Sequence, residues 1–131
     1  MRVSVKTVDG VYLVDLEDGS LLGPSPDAVF DPGPAAKPFL PRVVAAAASG
    51  STVVAVVDAR PPLLVSHDAG STWRESGRGL PPGLAVAIDA NDPDEVVYAS
   101  RNRLYVSTDG GRFWRALEIE LPDIEAIAVG N

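Results

Sequence analysis

The sequence predicts an all-β fold built from repeated four-stranded units. Short apolar segments recur along the chain, turn residues separate them, and one pattern returns at a fixed interval. The 131 residues include 12 glycines and 12 prolines, and no segment has the length and periodicity of a stable helix. The alanines at 45–48 favour a helix by propensity, but this run is short and lies between Pro41 and Gly50, so helix is the minor alternative there.

One eight-residue pattern establishes the repeat. The segment SHDAGSTW at 66–73 returns as STDGGRFW at 107–114, an offset of 41 residues. The same offset carries the apolar residues 44–47 onto 85–88, and those onto 126–129. A period of about 40–45 residues made of short strands is typical of a β-propeller blade, whose four antiparallel strands A to D run outward from the axis.

The predicted strands fill three blades, and the chain reads as one domain of residues 1–131. A partial blade at 1–22 has B at 3–7, C at 11–16 and D at 20–22, and a long loop follows at 23–41. The blade at 42–83 has its strands at 43–48, 53–57, 63–66 and 72–76. The blade at 84–123 has its strands at 84–89, 96–100, 103–108 and 113–118, with a turn at 91–94 between the first two. Residues 124–129 form one further strand A.

The repeated segment resembles the Asp-box, or BNR repeat, of sialidases, sortilin-type receptors, some glycoside hydrolases and photosystem II assembly-factor-like propellers. The resemblance implies a propeller fold and a structural role for the matching residues. A turn Asp accepts backbone N–H groups, Gly tolerates positive φ, and Trp packs beneath the turn. The first box (66–73) matches at Ser66, Asp68, Gly70, Thr72 and Trp73; the second box (107–114) matches at Ser107, Asp109, Gly111 and Trp114, with Phe113 at the Thr position.

Composition excludes several kinds of site. With 11 basic and 18 acidic residues the net charge is -7, which argues against binding to nucleic acid or to an anionic membrane. The absence of cysteine excludes disulfides and thiolate zinc sites. The acidic segment 89–95 does not match a calcium-binding EF-hand loop, because it has Pro93 and Asp94 where such a loop needs an oxygen ligand and a glycine. His67, the one histidine, reads as a turn residue, so we expect no metal and no cofactor.

No apolar run is long enough to cross a membrane, so we expect no membrane partner. The first residues lack the apolar core of a signal peptide, which predicts a cytoplasmic protein.

An asymmetry of charge suggests a binding face. In a propeller the D–A and B–C turns share one face, and in this chain that face would carry five arginines: Arg42, Arg60, Arg78, Arg101 and Arg103. The opposite face would carry Asp68, Asp92, Asp94, Glu95 and Asp109. The arginines are either solvated turn charges or the recognition site for an acidic partner. The sequence therefore predicts a non-enzymatic scaffold that binds a protein or an anionic glycan through its D–A/B–C face.

The alternative function is a glycoside hydrolase similar to the sialidases. The resemblance implies three arginines, a Tyr–Glu pair and an acid Asp for such an enzyme. No carboxylate pair stands at a recognisable spacing for glycoside hydrolysis.

The strand tally also bears on assembly. Strand A is missing from the first blade and left over at 124–129. We expect this strand of one copy to complete the first blade of another, so that a homodimer closes a six-bladed ring. The rival interpretations are a piece of a longer propeller and an open three-blade unit.

Overall fold

Three four-stranded antiparallel sheets make up the fold in a computed structural model. The structure describes residues 2–24 and 42–130, and within these ranges it contains strands and turns but no helix. The strands are β1 Arg2–Thr7, β2 Gly10–Asp15, β3 Leu21–Pro24, β4 Val43–Ser49, β5 Thr52–Val57, β6 Leu63–Ser66, β7 Arg74–Ser76, β8 Ala85–Asp89, β9 Asp92–Ala99, β10 Leu104–Ser107, β11 Arg115–Ala116 and β12 Ile124–Gly130.

Each sheet is one propeller blade, which confirms the predicted fold class. Blade 1 has the order β12-β1-β2-β3, blade 2 the order β4-β5-β6-β7, and blade 3 is formed by β8 to β11 in sequence order. The alanine run at 45–48 lies in β4, paired with β5, so the strand reading holds over the helical alternative. Of the loop predicted at 23–41, Gly23 and Pro24 belong to β3, and 25–41 lie outside the described residues.

The turn predicted at 91–94 is shorter than the sequence suggests. Strand β9 begins at Asp92, and the turn comprises residues 90–91, where the Asp89 carboxylate accepts the Asn91 N–H at 2.8 Å. The register between β8 and β9 moves from Ile88↔Val96 to Asp89↔Asp92. Pro93 therefore lies in a bulge, where its missing N–H breaks no ladder hydrogen bond.

Strand β12 completes blade 1 of its own chain. It pairs antiparallel with β1, with Val5 opposite Ile127 and Val3 opposite Val129. The expected pairing of an A strand with the first blade is thus present, but the structure corrects the expectation that it joins two copies. Pairing within one chain costs only the closure of the intervening chain, whereas exchange between copies also costs the freedom of a second molecule.

Blade 3 lies between the other two blades. Its one face shares a core with blade 1, and its other face shares a second core with blade 2. On the axis side, β8 packs against β4 and against β12. Among the described residues, blades 1 and 2 share no core of their own, so the three blades form an open arc. The end faces of blades 1 and 2, on which no other described blade packs, are called its uncovered faces.

Candidate functional site

The first box is a closed hydrogen-bond network. The Ser66 hydroxyl donates to the Asp68 carboxylate at 2.7 Å and accepts the Gly70 N–H at 2.8 Å. Asp68 also accepts the Thr72 hydroxyl at 2.5 Å and the Thr72 N–H at 2.8 Å. These bonds, those from Thr72 foremost, lower the pKa of Asp68 from its ordinary value of 3.8 to about 2. Gly70 has φ +92°, a conformation that suits a residue without a Cβ.

The second box repeats the network without the threonine. Ser107 donates to Asp109 at 2.7 Å, and Asp109 accepts the N–H groups of Arg112 and Phe113 at 3.1 Å each. The Phe113 N–H is the main reason why the pKa of Asp109 is lowered. With no hydroxyl to bind, the side chain at 113 turns outward and is 78% exposed.

The tryptophan of the second box joins two blades. The Trp114 indole N–H donates to the Ser76 hydroxyl of blade 2 at 3.1 Å, and that hydroxyl donates to the Gly111 carbonyl. The Trp114 ring contacts the Tyr98 ring edge-on, with the ring centroids 6.1 Å apart. Trp73 in the first box is half-buried, and no acceptor for its indole N–H lies among the described residues.

Backbone hydrogen bonds join turns that lie on the same face of the propeller arc. On the D–A/B–C face, Val8 N–H donates to Asp123 C=O at 3.0 Å and Asp58 N–H donates to Arg42 C=O at 3.0 Å. On the opposite face, Gly110 N–H donates to Asp94 C=O at 3.1 Å. D–A turns therefore contact B–C turns at one end of the strands, and A–B turns contact C–D turns at the other end, as antiparallel strands require.

Two of the predicted arginines share one cavity. Arg60, from the B–C turn of blade 2, and Arg78, from the D–A loop, line a cavity of about 670 Å³. The rest of its lining is mostly apolar, with Pro61, Pro62, Leu80, Pro81 and Pro82, and Glu75 is its one carboxylate. No ion pair of either arginine occurs within the described part of the chain, so both guanidinium groups are available to an anion.

Two other predicted arginines line the neighbouring cavity, of about 460 Å³. There Arg101 pairs with Asp123 at 3.1 Å, and Arg103 pairs with Glu120 at 3.0 Å. These pairs are exposed, so each contributes little to stability. In each pair the carboxylate offsets the positive charge that the arginine would offer to an anionic ligand. Pro81 and Pro82 line both cavities, which therefore adjoin. Arg42 is exposed and lines none of the three cavities described in this section.

A third cavity, of about 670 Å³, was missed by the sequence analysis. It lies in the cleft between strand β7 and the second box and is lined in part by Arg74, Arg78, Arg112, Phe113 and Trp114. Phe113 at the Thr position of the box was the one signal that could have pointed to it. Arg78 and Leu80 line both this cleft and the Arg60 cavity, so the two adjoin.

The acidic face carries no recognisable metal centre. Within residues 2–24 and 42–130, no group of three or more His, Asp or Glu side chains is placed to hold a metal ion. The His67 imidazole Nδ1 lies 3.3 Å from the Thr52 hydroxyl. Burial and the neighbouring Asp92 raise the pKa of Glu95.

No helix in the described part of the chain is long and apolar enough to cross a membrane.

The solved structures with a similar fold include two propellers that match most of this chain. The Niastella koreensis GH74 enzyme is 21% identical, with a TM-score of 0.51 over 94% of this chain and 19% of that one. A structure of YCF48 bound to a D1 peptide is 18% identical, with a TM-score of 0.52 over 86% of this chain and 39% of that one. These likenesses show a β-propeller fold. The chain spans less than half the length of either protein.

No family model and no curated protein matches this sequence.

Proposed function

We propose that this chain is a non-enzymatic scaffold of the Asp-box propeller type, and that its D–A/B–C face binds an acidic segment of a partner protein. The observation that carries the proposal is the Arg60–Arg78 cavity, where two arginines that pair with no described carboxylate flank an apolar floor. Guanidinium groups bind carboxylates with two parallel hydrogen bonds, and the proline rings add apolar contact area.

The proximity of the cavities favours an extended ligand. The Arg101–Arg103 cavity shares Pro81 and Pro82 with the Arg60–Arg78 cavity, and the cleft at Phe113 shares Arg78 with it. A peptide can follow such a track, with carboxylates at the arginines and an apolar side chain at the prolines. The YCF48 neighbour, whose structure contains a D1 peptide, supports a peptide ligand by analogy of fold.

The enzyme alternative has less support. A glycoside hydrolase needs two carboxyl groups that face one substrate, about 5–10 Å apart. The Arg60–Arg78 cavity has one carboxylate, Glu75, and the neighbouring cavity has Glu120, which is paired with Arg103. The GH74 neighbour is an enzyme, but at 21% identity the likeness concerns the fold.

The test is a pair of charge-matched variants. Binding of a fluorescent glutamate-rich peptide is measured by anisotropy, for the unmodified chain and for Arg78→Ala and Arg2→Ala. Each substitution removes one positive charge from an exposed arginine, but Arg2 lies in β1 of blade 1 and lines none of the three cavities. We expect a several-fold loss of affinity for Arg78→Ala, added salt to weaken binding, and little change for Arg2→Ala.

Equal affinity in all three proteins would contradict the proposed peptide site. Tighter binding of a sulfated oligosaccharide than of the peptide would make the partner a glycan. Release of reducing sugar from such a glycan would favour the enzyme.

We also propose that the protein acts as a homodimer. Three blades leave two faces of the arc open, whereas closed propellers have about four to eight blades. Two copies supply six blades.

A further inference from the structure

The cleft at Phe113 lies between the outermost strand of blade 2 and the second box of blade 3. Strand β7 is the edge strand of its sheet, at the opposite end from the axis strand β4. The cleft is lined by three arginines, Arg74, Arg78 and Arg112, and by one carboxylate, Glu75. None of these arginines forms an ion pair with any residue that the structure describes. The cleft is therefore a positively charged groove at the rim of the arc.

Phe113 is the residue of the second box that packing does not explain. The offset of 41 residues places it on Thr72, whose hydroxyl and N–H both donate to the Asp68 carboxylate in the first box. Phenylalanine gives up the hydroxyl bond, and its ring remains 78% exposed. A single exposed apolar side chain is ordinary, but Phe113 shares its cleft with the half-buried Trp114 and Leu80. The three side chains form an apolar patch between the arginines.

The two boxes differ in sequence where this cleft lies. Four of their eight positions differ, and at two of the four Arg112 and Phe113 line the cleft in place of Ser71 and Thr72. A guanidinium and an aromatic ring thus occur together at the box that contacts a preceding described blade. Small hydroxyl side chains occupy the same positions in the box that contacts none.

The aromatic wall of the cleft is held in place by the contact between the blades. Trp114 is fixed by its hydrogen bond to Ser76 at 3.1 Å and by its edge-on contact with Tyr98. Ser76 in turn donates to the Gly111 carbonyl, and both of these residues are buried. A wall that is already ordered loses little freedom when a ligand binds, and a flat ring is the group that packs best against it.

We infer that the cleft at Phe113 binds an aromatic side chain of the acidic partner segment that the Arg60–Arg78 cavity receives. Aromatic rings pair in edge-on or offset contacts, and they also stack on guanidinium groups. Phe113 offers a ring, and Arg112 beside it offers a donor that binds a carboxylate. An aromatic residue next to a glutamate or aspartate satisfies both groups at once.

One segment can reach both sites. Arg78 and Leu80 line the cleft as well as the Arg60 cavity, so the two sites adjoin. The inference therefore rests on the proposed function, and it adds an element to the partner: an aromatic residue beside the acidic run.

Fluorescent glutamate-rich peptides that differ at one position test the cleft by anisotropy. This position is phenylalanine, leucine or alanine, and it precedes the glutamates in one set of peptides and follows them in another. We expect the phenylalanine peptide of at least one set to bind several-fold more tightly than its leucine and alanine counterparts. Phe113→Thr should remove this gain and leave the affinity for the alanine peptide unchanged, whereas Phe113→Tyr should keep the gain.

Two controls separate binding from folding. Phe113→Thr introduces the residue that the first box has at this position, where its hydroxyl bonds the box aspartate, so the melting temperature should not fall. Val8→Thr removes another exposed apolar side chain, from the turn between β1 and β2, which lines none of the three cavities. This variant should bind all the peptides as the unmodified chain does.

Several results would overturn the inference. Equal affinity for the phenylalanine and alanine peptides would remove the aromatic site and leave the acidic-peptide proposal standing. A gain that persists in Phe113→Thr would place the aromatic residue elsewhere on the protein. Binding of no peptide at all would contradict the proposed function as well. A sulfated oligosaccharide that loses affinity in Phe113→Thr, with no gain from phenylalanine in the peptides, would make the ligand of the cleft a glycan.

Discussion

The two boxes have nearly the same turn, but their tryptophans have different surroundings. In both, a serine hydroxyl binds the box aspartate and a glycine N–H, at distances that agree within 0.1 Å. Trp114 reaches across to Ser76 of the preceding blade, whereas Trp73 lies on the side of blade 2 that no described blade covers. The turn is thus a local property of eight residues, and the role of its tryptophan depends on the position of the blade in the arc.

The two sides of blade 2 differ in the same way. Where blade 3 meets blade 2, Tyr98 is fully buried and its hydroxyl donates to the Pro81 carbonyl at 2.7 Å. Burial raises the pKa of this hydroxyl, so it remains a neutral donor. The equivalent residue in blade 2 is Val57, which has neither ring nor hydroxyl. The larger side chain occurs where the neighbouring blade is present.

Truncation of these two equivalent residues should have the largest effect. Tyr98→Ala removes a buried ring and its hydrogen bond, and we expect a loss of about 3–5 kcal/mol in the free energy of unfolding. Val57→Ala removes two methyl groups, and we expect the free energy of unfolding to fall by about 0.8 kcal/mol for each buried carbon removed. Urea unfolding followed by tryptophan fluorescence measures both, and equal losses would contradict the difference between the two sides.

An intermediate effect is expected from the indole N–H groups. Trp114→Phe leaves the apolar contact but breaks the bond to Ser76, so the free energy of unfolding should fall by about 1 kcal/mol. Trp73→Phe, its matched control, should cost less in the isolated chain. If the two substitutions cost the same, the contact between Trp114 and Ser76 does not stabilise the arc.

The sequence predicted the fold more completely than the site. Repeat spacing and turn residues predict all twelve strands, because each blade must bury the same positions. The D strands predicted at 72–76 and 113–118 are shorter in the structure, where β7 begins at Arg74 and β11 comprises Arg115–Ala116. The start of β9 was placed too late, since Asp92-Pro93 is typical of a turn yet here lies in a bulge. The ion pairs of Arg101 and Arg103 were also missed. Their partners Asp123 and Glu120 lie in a D–A segment whose spacing carries no periodic signal.

The smallest effect concerns acid stability, and here the two boxes should differ in degree. A carboxylate whose pKa is lowered by folding stabilises the protein above its unfolded pKa, and this contribution is lost as the pH falls through the folded value. For Asp68 that window runs from 3.8 down to about 2. The pKa of Asp109 is shifted in the same direction.

Asp68→Asn should therefore flatten the dependence of the melting temperature on pH below 3.8, compared with the unmodified chain. Asp123→Asn, which changes an exposed carboxylate outside the boxes, is the control. An unchanged slope in Asp68→Asn would show that the network does not depend on the ionised carboxylate.

The mass of the protein in solution tests most directly whether two copies close a six-bladed ring. Light scattering on a size-exclusion column, over a range of concentrations, should give twice the chain mass of 13.7 kDa. Val44→Glu, which places a charge on the uncovered face of blade 2, should lower the mass toward that of one chain. A mass of 13.7 kDa for the unmodified chain at all concentrations would contradict the six-bladed ring.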